Sequence, residues 1–97
     1  MALKIVWSKR AEQGYDRIVR YLEEEWTEKE VQNFISETKY FFELLKTNPG
    51  ILQPSKKKNL YRGPINRLTI LTYRVIPGKK VIELVNIRGS RQKPLKS

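Results

Sequence analysis

Leu3, Ile5 and Trp7 alternate with Lys4 and Val6, the period of two that a short strand with one apolar face shows. From Lys9 the period lengthens. Ala11, Tyr15, Ile18 and Leu22 recur at spacings of four, three and four, which places them on one face of a helix. Ser8 stands in front of them as a fitting N-cap. Gly14 inside this helix is expected to cost roughly 1 kcal/mol against alanine. Thr27 followed by Glu30 reads as a capping box that opens a second helix. Its set Val31, Phe34, Ile35, Thr38, Phe41, Phe42 and Leu45 keeps the helical period. Asn48–Pro49–Gly50 ends it, because proline cannot continue the hydrogen-bond ladder. So short a link between the two helices predicts an antiparallel hairpin.

After residue 50 the helical period stops. ILQPSKKK (residues 51–58) reads as an irregular loop, NLYR (59–62) as a short strand and GPIN (63–66) as a turn or a bulge. RLTILTYRVI (67–76) is rich in β-branched and aromatic residues and predicts a long strand. Its alternation puts Leu71, Tyr73 and Val75 on one face and Ile70, Thr72 and Arg74 on the other. Pro77–Gly78–Lys79 has hairpin chemistry, VIELVNI (81–87) is the last strand, and RGSRQKPLKS (88–97) is a basic tail. The expected architecture is α+β: a helical hairpin packed on one face of a mostly antiparallel sheet, in the order β-α-α-β-β-β, with residues 1–97 as a single domain. Two helices cover only one face of such a sheet, so its other face is left for water or a partner.

Charge gives that uncovered face a character. The chain has 97 residues and a net charge of +10. Residues 1–48 carry 8 basic and 9 acidic side chains, whereas residues 49–97 carry 12 basic ones and a single acid, Glu83. A field so one-sided predicts a polyanion or an acidic protein as partner. There is no histidine and no cysteine. The usual neutral-pH base, the commonest metal ligand, thiolate chemistry and disulfides are therefore absent, and a Ser/His hydrolase is excluded. Neither a phosphate-cradling glycine loop nor metal-ligand spacing appears, so no cofactor or metal is expected. No apolar run approaches a membrane span, and no secretion signal is visible at the N-terminus; the expected location is the cytoplasm.

Candidate chemistry concentrates in residues 56–75, KKKNLYRGPINRLTILTYRV, which hold no acid. Lys56, Lys57 and Lys58 are followed by Arg62, Arg67 and Arg74, and the chain returns through Arg88, Arg91, Lys93 and Lys96. In a meander the end of the last strand lies beside the start of the long one, which permits a shared cationic cleft. Arginine suits bidentate phosphate contacts and lysine acts as a point charge. Tyr61 is open to two readings, a core-packing ring or a platform on which a base stacks; Tyr73 belongs with the apolar face. Trp7 and Trp26 read as packing residues, and Glu23 to Glu25 as a solvated helix end.

Element order and local strings together resemble the RelE/ParE superfamily of bacterial toxins. The strings are LKIVWSKRAEQGYDRIVRYL, the closing Asn48–Pro49 of the second helix, YRV on the long strand, and IELVNIRGSRQKP at the end. The likeness spans nearly the whole chain and is one of pattern. It implies the toxin of a type II toxin–antitoxin system of the plasmid-stabilisation kind, held inactive by a cognate acidic antitoxin that wraps it. The RelE branch cleaves ribosome-bound messenger RNA, and the dense basic cluster makes that the expected activity here; the ParE branch, the alternative, inhibits DNA gyrase without being an enzyme.

For the ribonuclease reading, the resemblance implies attack of a nucleotide 2′-OH on the adjacent phosphate. Lys57 or Lys58 would be the base, and Arg62, Arg67 and Arg88 would stabilise the charge gathering on phosphorus. Lys56, Tyr61, Arg74, Arg91 and Lys93 would bind the nucleic acid. The tail has no tyrosine or histidine to match the C-terminal tyrosine often found in RelE-type nucleases. The gyrase reading needs no catalytic residue. A third reading, a plain basic nucleic-acid-binding domain, predicts steeply salt-dependent binding and no growth arrest.

Overall fold

The computed structural model describes residues 3–57 and 59–89. Strand β1 spans Lys4–Trp7, helix α1 Lys9–Glu25, helix α2 Glu28–Thr47, β2 Gln53–Pro54, β3 Leu60–Asn66, β4 Thr69–Ile76 and β5 Val81–Gly89. The described strands form one sheet in the order β1-β5-β4-β3-β2, antiparallel except where β1 runs parallel to β5. Two helices on one face of a mostly antiparallel sheet is the expected α+β architecture.

Both helices begin as the caps dictate. Ser8 Oγ accepts from the Ala11 N–H at 3.0 Å and donates to the Val85 carbonyl at 3.0 Å, so one hydroxyl caps α1 and fastens it to β5. Thr27 and Glu30 exchange the reciprocal bonds of a capping box. Helix α2 stops at Thr47, and the Asn48 N–H turns back to the carbonyls of Leu44 and Leu45. The Trp26–Thr27 link folds the helices against each other. Tyr15 meets α2 there, stacked on Phe34 and hydrogen-bonded to Thr38.

One hydrophobic cluster lies between the layers, with Ala11, Ile18 and Leu22 from α1, Val31, Phe34, Phe41 and Leu45 from α2, and Leu71, Tyr73, Ile82, Leu84 and Ile87 from the sheet. Residues 84 and 87 both point inward because Val85 is a bulge: Tyr73 pairs with Leu84 and Thr72 with Asn86. Without it, the strict alternation of β5 would turn Ile87 to the solvent side. Among the described residues no helix is long and apolar enough to cross a membrane.

Several expectations are corrected. Residues 51–58 do not form only a loop, since Gln53 and Pro54 pair with Arg62 and Tyr61. GPIN is not a turn: it lies within β3, where the register shifts between Pro64 and Asn66 as the bulge reading has it. Proline is tolerated there because β2 ends before reaching it, which leaves Pro64 on an open edge. Arg67 and Leu68 form the turn, so the long strand starts at Thr69. Helix α1, by contrast, runs unbroken through Gly14, as its apolar period predicts.

Candidate functional site

Cross-strand partners point to the same side of a sheet, so the ladder registers assign each residue a face. Tyr61, Tyr73 and Leu84 share one row, and Gly63, Leu71 and Ile87 the next. These rows face the helices. The rows between them face away. One holds Arg62, Thr72 and Asn86, another Pro64, Ile70 and Arg88, and a third Leu60, Arg74, Glu83 and Val6. The uncovered face thus mixes cations with aliphatic positions, and Val6 is 42% exposed.

Arg62 and Arg88 are both exposed on this face. They stand two strands and two residues apart, roughly 10 Å across and 7 Å along the sheet. At that spacing two arginine side chains are long enough to converge above the sheet. Arg74 also lies here, but its Nε is 3.7 Å from Glu83 Oε1, the single acid of the basic half. This is a surface pair of modest strength.

Lys56 and Lys57 stand at one end of the sheet, on the tip of the β2–β3 hairpin. The Ser55 N–H donates to the Leu60 carbonyl at 2.7 Å, the Leu60 N–H to the Lys57 carbonyl at 3.2 Å, and the Lys57 N–H to Ser55 Oγ at 3.0 Å. Asn59 completes the turn with φ of 62°, a left-handed conformation that asparagine tolerates. Arg67 sits at the other end, six or more residues of β3 away, which is roughly 20 Å. There it lines a cavity of about 220 Å³ with Trp26, Glu30, Phe34, Glu37 and Asn66. The end of β5 does come beside the start of β4, as expected: Ile70 pairs with Arg88. Lys57 and Arg67, however, are held apart. Lys58, Arg91, Lys93 and Lys96 lie outside the described residues.

The tyrosines take packing positions. Tyr73 is fully buried, and its hydroxyl donates to the Pro49 carbonyl. Burial pushes its phenol up to about 12, partly offset by the Leu52 backbone, with the neighbouring Tyr61 adding a little. Tyr61 stacks on it, with ring centroids 5.2 Å apart and planes within 10°. One face of Tyr61 is therefore occupied by Tyr73.

A feature that sequence reasoning missed is a groove of about 780 Å³ between β1 and α2. Leu3, Ile5, Trp7 and Phe42 form its apolar floor; Lys4, Lys39, Lys46 and Glu43 rim it. Trp7 is fixed edge-on to Phe42 and Tyr15, at 5.4 and 5.5 Å. Strand β1 borders the sheet, so the outward backbone groups of Ile5 and Trp7 open onto the same side. The signal for it was split between elements some 40 residues apart.

Residues 5–94 match the family model described as the ParE toxin of the type II toxin–antitoxin system parDE. No curated protein matches the chain. Among solved structures, the chain is similar to a chromosomal ParDE toxin–antitoxin system from P. aeruginosa, with a TM-score of 0.72 at 16% identity over 91% of this chain and 96% of that one. It is also similar to the RelBE2 complex of Mycobacterium tuberculosis, with a TM-score of 0.62 at 10% identity over 92% and 99% of the two chains. A third likeness is to the isolated E. coli RelE toxin, with a TM-score of 0.61 at 17% identity over 96% and 89%. At such identities these structures speak to the fold.

Proposed function

We propose, from the premise that this chain belongs to the ParE family of toxins of type II toxin–antitoxin systems, that it arrests growth as a protein-binding inhibitor of DNA gyrase. The match to the ParE model over residues 5–94 carries the reading. The uncovered sheet face supports it, because Arg62 and Arg88 stand among Val6, Ile70 and Thr72, a mixture of cation and aliphatic surface that suits a protein partner. Tyr73 does not serve as a neutral-pH base: its phenol is buried, raised to about 12 and already donating to Pro49. Supercoiling of relaxed plasmid by purified gyrase tests the reading. Inhibition by the toxin, relieved in an Arg62→Ala/Arg88→Ala variant, is the expected result; full gyrase activity at saturating toxin sinks it.

A second reading, ribosome-dependent cleavage of messenger RNA, draws on the same arginines. In it Lys57 or Lys58 takes the proton of a 2′-OH, while Arg62 and Arg88 hold the phosphate. Arg67 cannot share one phosphate with Lys57 from the far end of β3. A translation extract programmed with a defined message, mapped by primer extension, gives ribosome-dependent cuts under this reading and an intact message under the first.

The partner in the cell is the cognate antitoxin, which we take to be acidic. The groove between β1 and α2 offers it an apolar floor with a lysine rim; the basic sheet face offers it charge.

A further inference from the structure

The ten residues between α2 and the tip of the β2–β3 hairpin carry Lys56 and Lys57, and before β2 begins two side-chain contacts hold them to the rest of the fold. At the first, Tyr73 of β4 donates its hydroxyl to the Pro49 carbonyl, just past the end of α2. At the second, Leu52 lies on Gly63 of β3, so close that a Cβ on the glycine would stand 3.2 Å from Leu52 Cδ2. From there the chain pairs Gln53 with Arg62 and turns through the bonds of Ser55, Lys57 and Leu60.

Tyr73 is unusual among the core residues. Its ring is as buried as Leu71 or Leu84, and packing alone would be met by phenylalanine. The hydroxyl is instead aimed at a loop carbonyl 24 residues away in sequence. That carbonyl marks where the chain leaves α2, and so fixes the path by which two lysines reach the end of the sheet that carries Arg62.

We propose that Tyr73 is a positioning residue: through Pro49 it sets the place of the Lys56–Lys57 hairpin tip against Arg62, and thereby the shape of the basic surface that meets the toxin's target. The inference rests on the reading of that surface as target-binding. It does not depend on whether the target is gyrase or message.

The test uses the full chain, induced in cells at matched protein levels, with growth arrest as readout and amide hydrogen exchange on the purified protein. Tyr73→Phe keeps the ring and its stack on Tyr61 and removes the hydroxyl, with its bond to Pro49 and its contact with the Leu52 backbone, both in the same segment. It should raise the toxin level needed for arrest about five-fold, the factor that one ordinary hydrogen bond conveys, and should speed exchange at Leu52 and Ser55. Lys56→Ala/Lys57→Ala should also weaken arrest, and Tyr73→Phe added to that pair should weaken it no further, because both act through one contact. Ile82→Val, a core change of similar stability cost on β5, is the control and should leave arrest unchanged.

Equal loss in Ile82→Val and Tyr73→Phe overturns the proposal, since stability alone would then account for it. Undiminished arrest in Tyr73→Phe, with loss in the lysine pair, also overturns it while leaving the surface intact. Undiminished arrest in the lysine pair overturns the surface reading and the proposal with it. Should Tyr73→Phe fail to fold, Leu52→Ala loosens the same segment at its second tie and is read against the same controls.

Discussion

The backbone carbonyl of Ile87 lies against Gly14 so closely that a Cβ on the glycine would stand 1.9 Å from its oxygen. Helix α1 is thus seated on β5 backbone to backbone, and the bulge at Val85 turns Ile87 toward it. The glycine that reads in sequence as a helix weakness is the residue that lets the two layers meet.

Gly14→Ala should therefore destabilise, although alanine improves helix propensity by about 1 kcal/mol. No real Cβ occupies a site 1.9 Å from an oxygen, so α1 must shift off the sheet. A net loss of about 2 kcal/mol or more is expected. Urea unfolding measures it, and a variant as stable as the parent would show that α1 slides without cost.

Tyr73 makes stability fall in alkali. Its folded phenol is raised to about 12, against about 10 in an unfolded chain. Its contribution is fully present below pH 10 and is lost as pH rises from 10 to 12, by roughly 2–3 kcal/mol. Comparing unfolding of the parent and Tyr73→Phe between pH 8 and 12 isolates this group from the lysines. Parallel curves across that window would rule it out.

Thr69 is fully buried, and its hydroxyl has no partner among the described residues. Thr38 is equally buried, yet its hydroxyl donates to the Ile35 carbonyl at 2.9 Å and meets the Tyr15 hydroxyl at 3.0 Å. Thr69→Val should be neutral or stabilising by up to about 1 kcal/mol, and Thr38→Val should cost about 1–2 kcal/mol. Thermal melts of the two variants decide it; a Thr69→Val loss as large as that of Thr38→Val would mean that Thr69 has a bonded partner after all.

These contrasts show which parts of the molecule were written legibly. Helices α1 and α2 were, because period and caps are local: Ser8, Thr27, Glu30 and Pro49 all act within a few residues. The inward face of β4 was also legible, since Leu71 and Tyr73 obey simple alternation. Strand β2 was not, because two residues ending in Pro54 carry no period. Nor was the parallel pairing of β1 with β5, whose partners Lys4 and Val81 are far apart in sequence. The candidate site was legible only in part. Lys57 and Arg67 belong to one acid-free run, so the sequence groups them, whereas β3 runs between them and carries them to opposite ends.

The uncovered face supplies the last prediction. Arg62 and Arg88 are exposed and belong to rows that no helix covers, so removing their guanidinium groups should leave the core untouched. Arg62→Ala/Arg88→Ala should change stability by no more than about 0.5 kcal/mol per site, yet abolish growth arrest on induction. Arg74→Ala, which removes a cation already engaged by Glu83, should weaken arrest far less. Colony counts after induction, with melting curves on the same proteins, separate the outcomes. Full arrest from a folded double variant would move the toxic contact off this face, leaving the groove between β1 and α2 as the surface to mutate next.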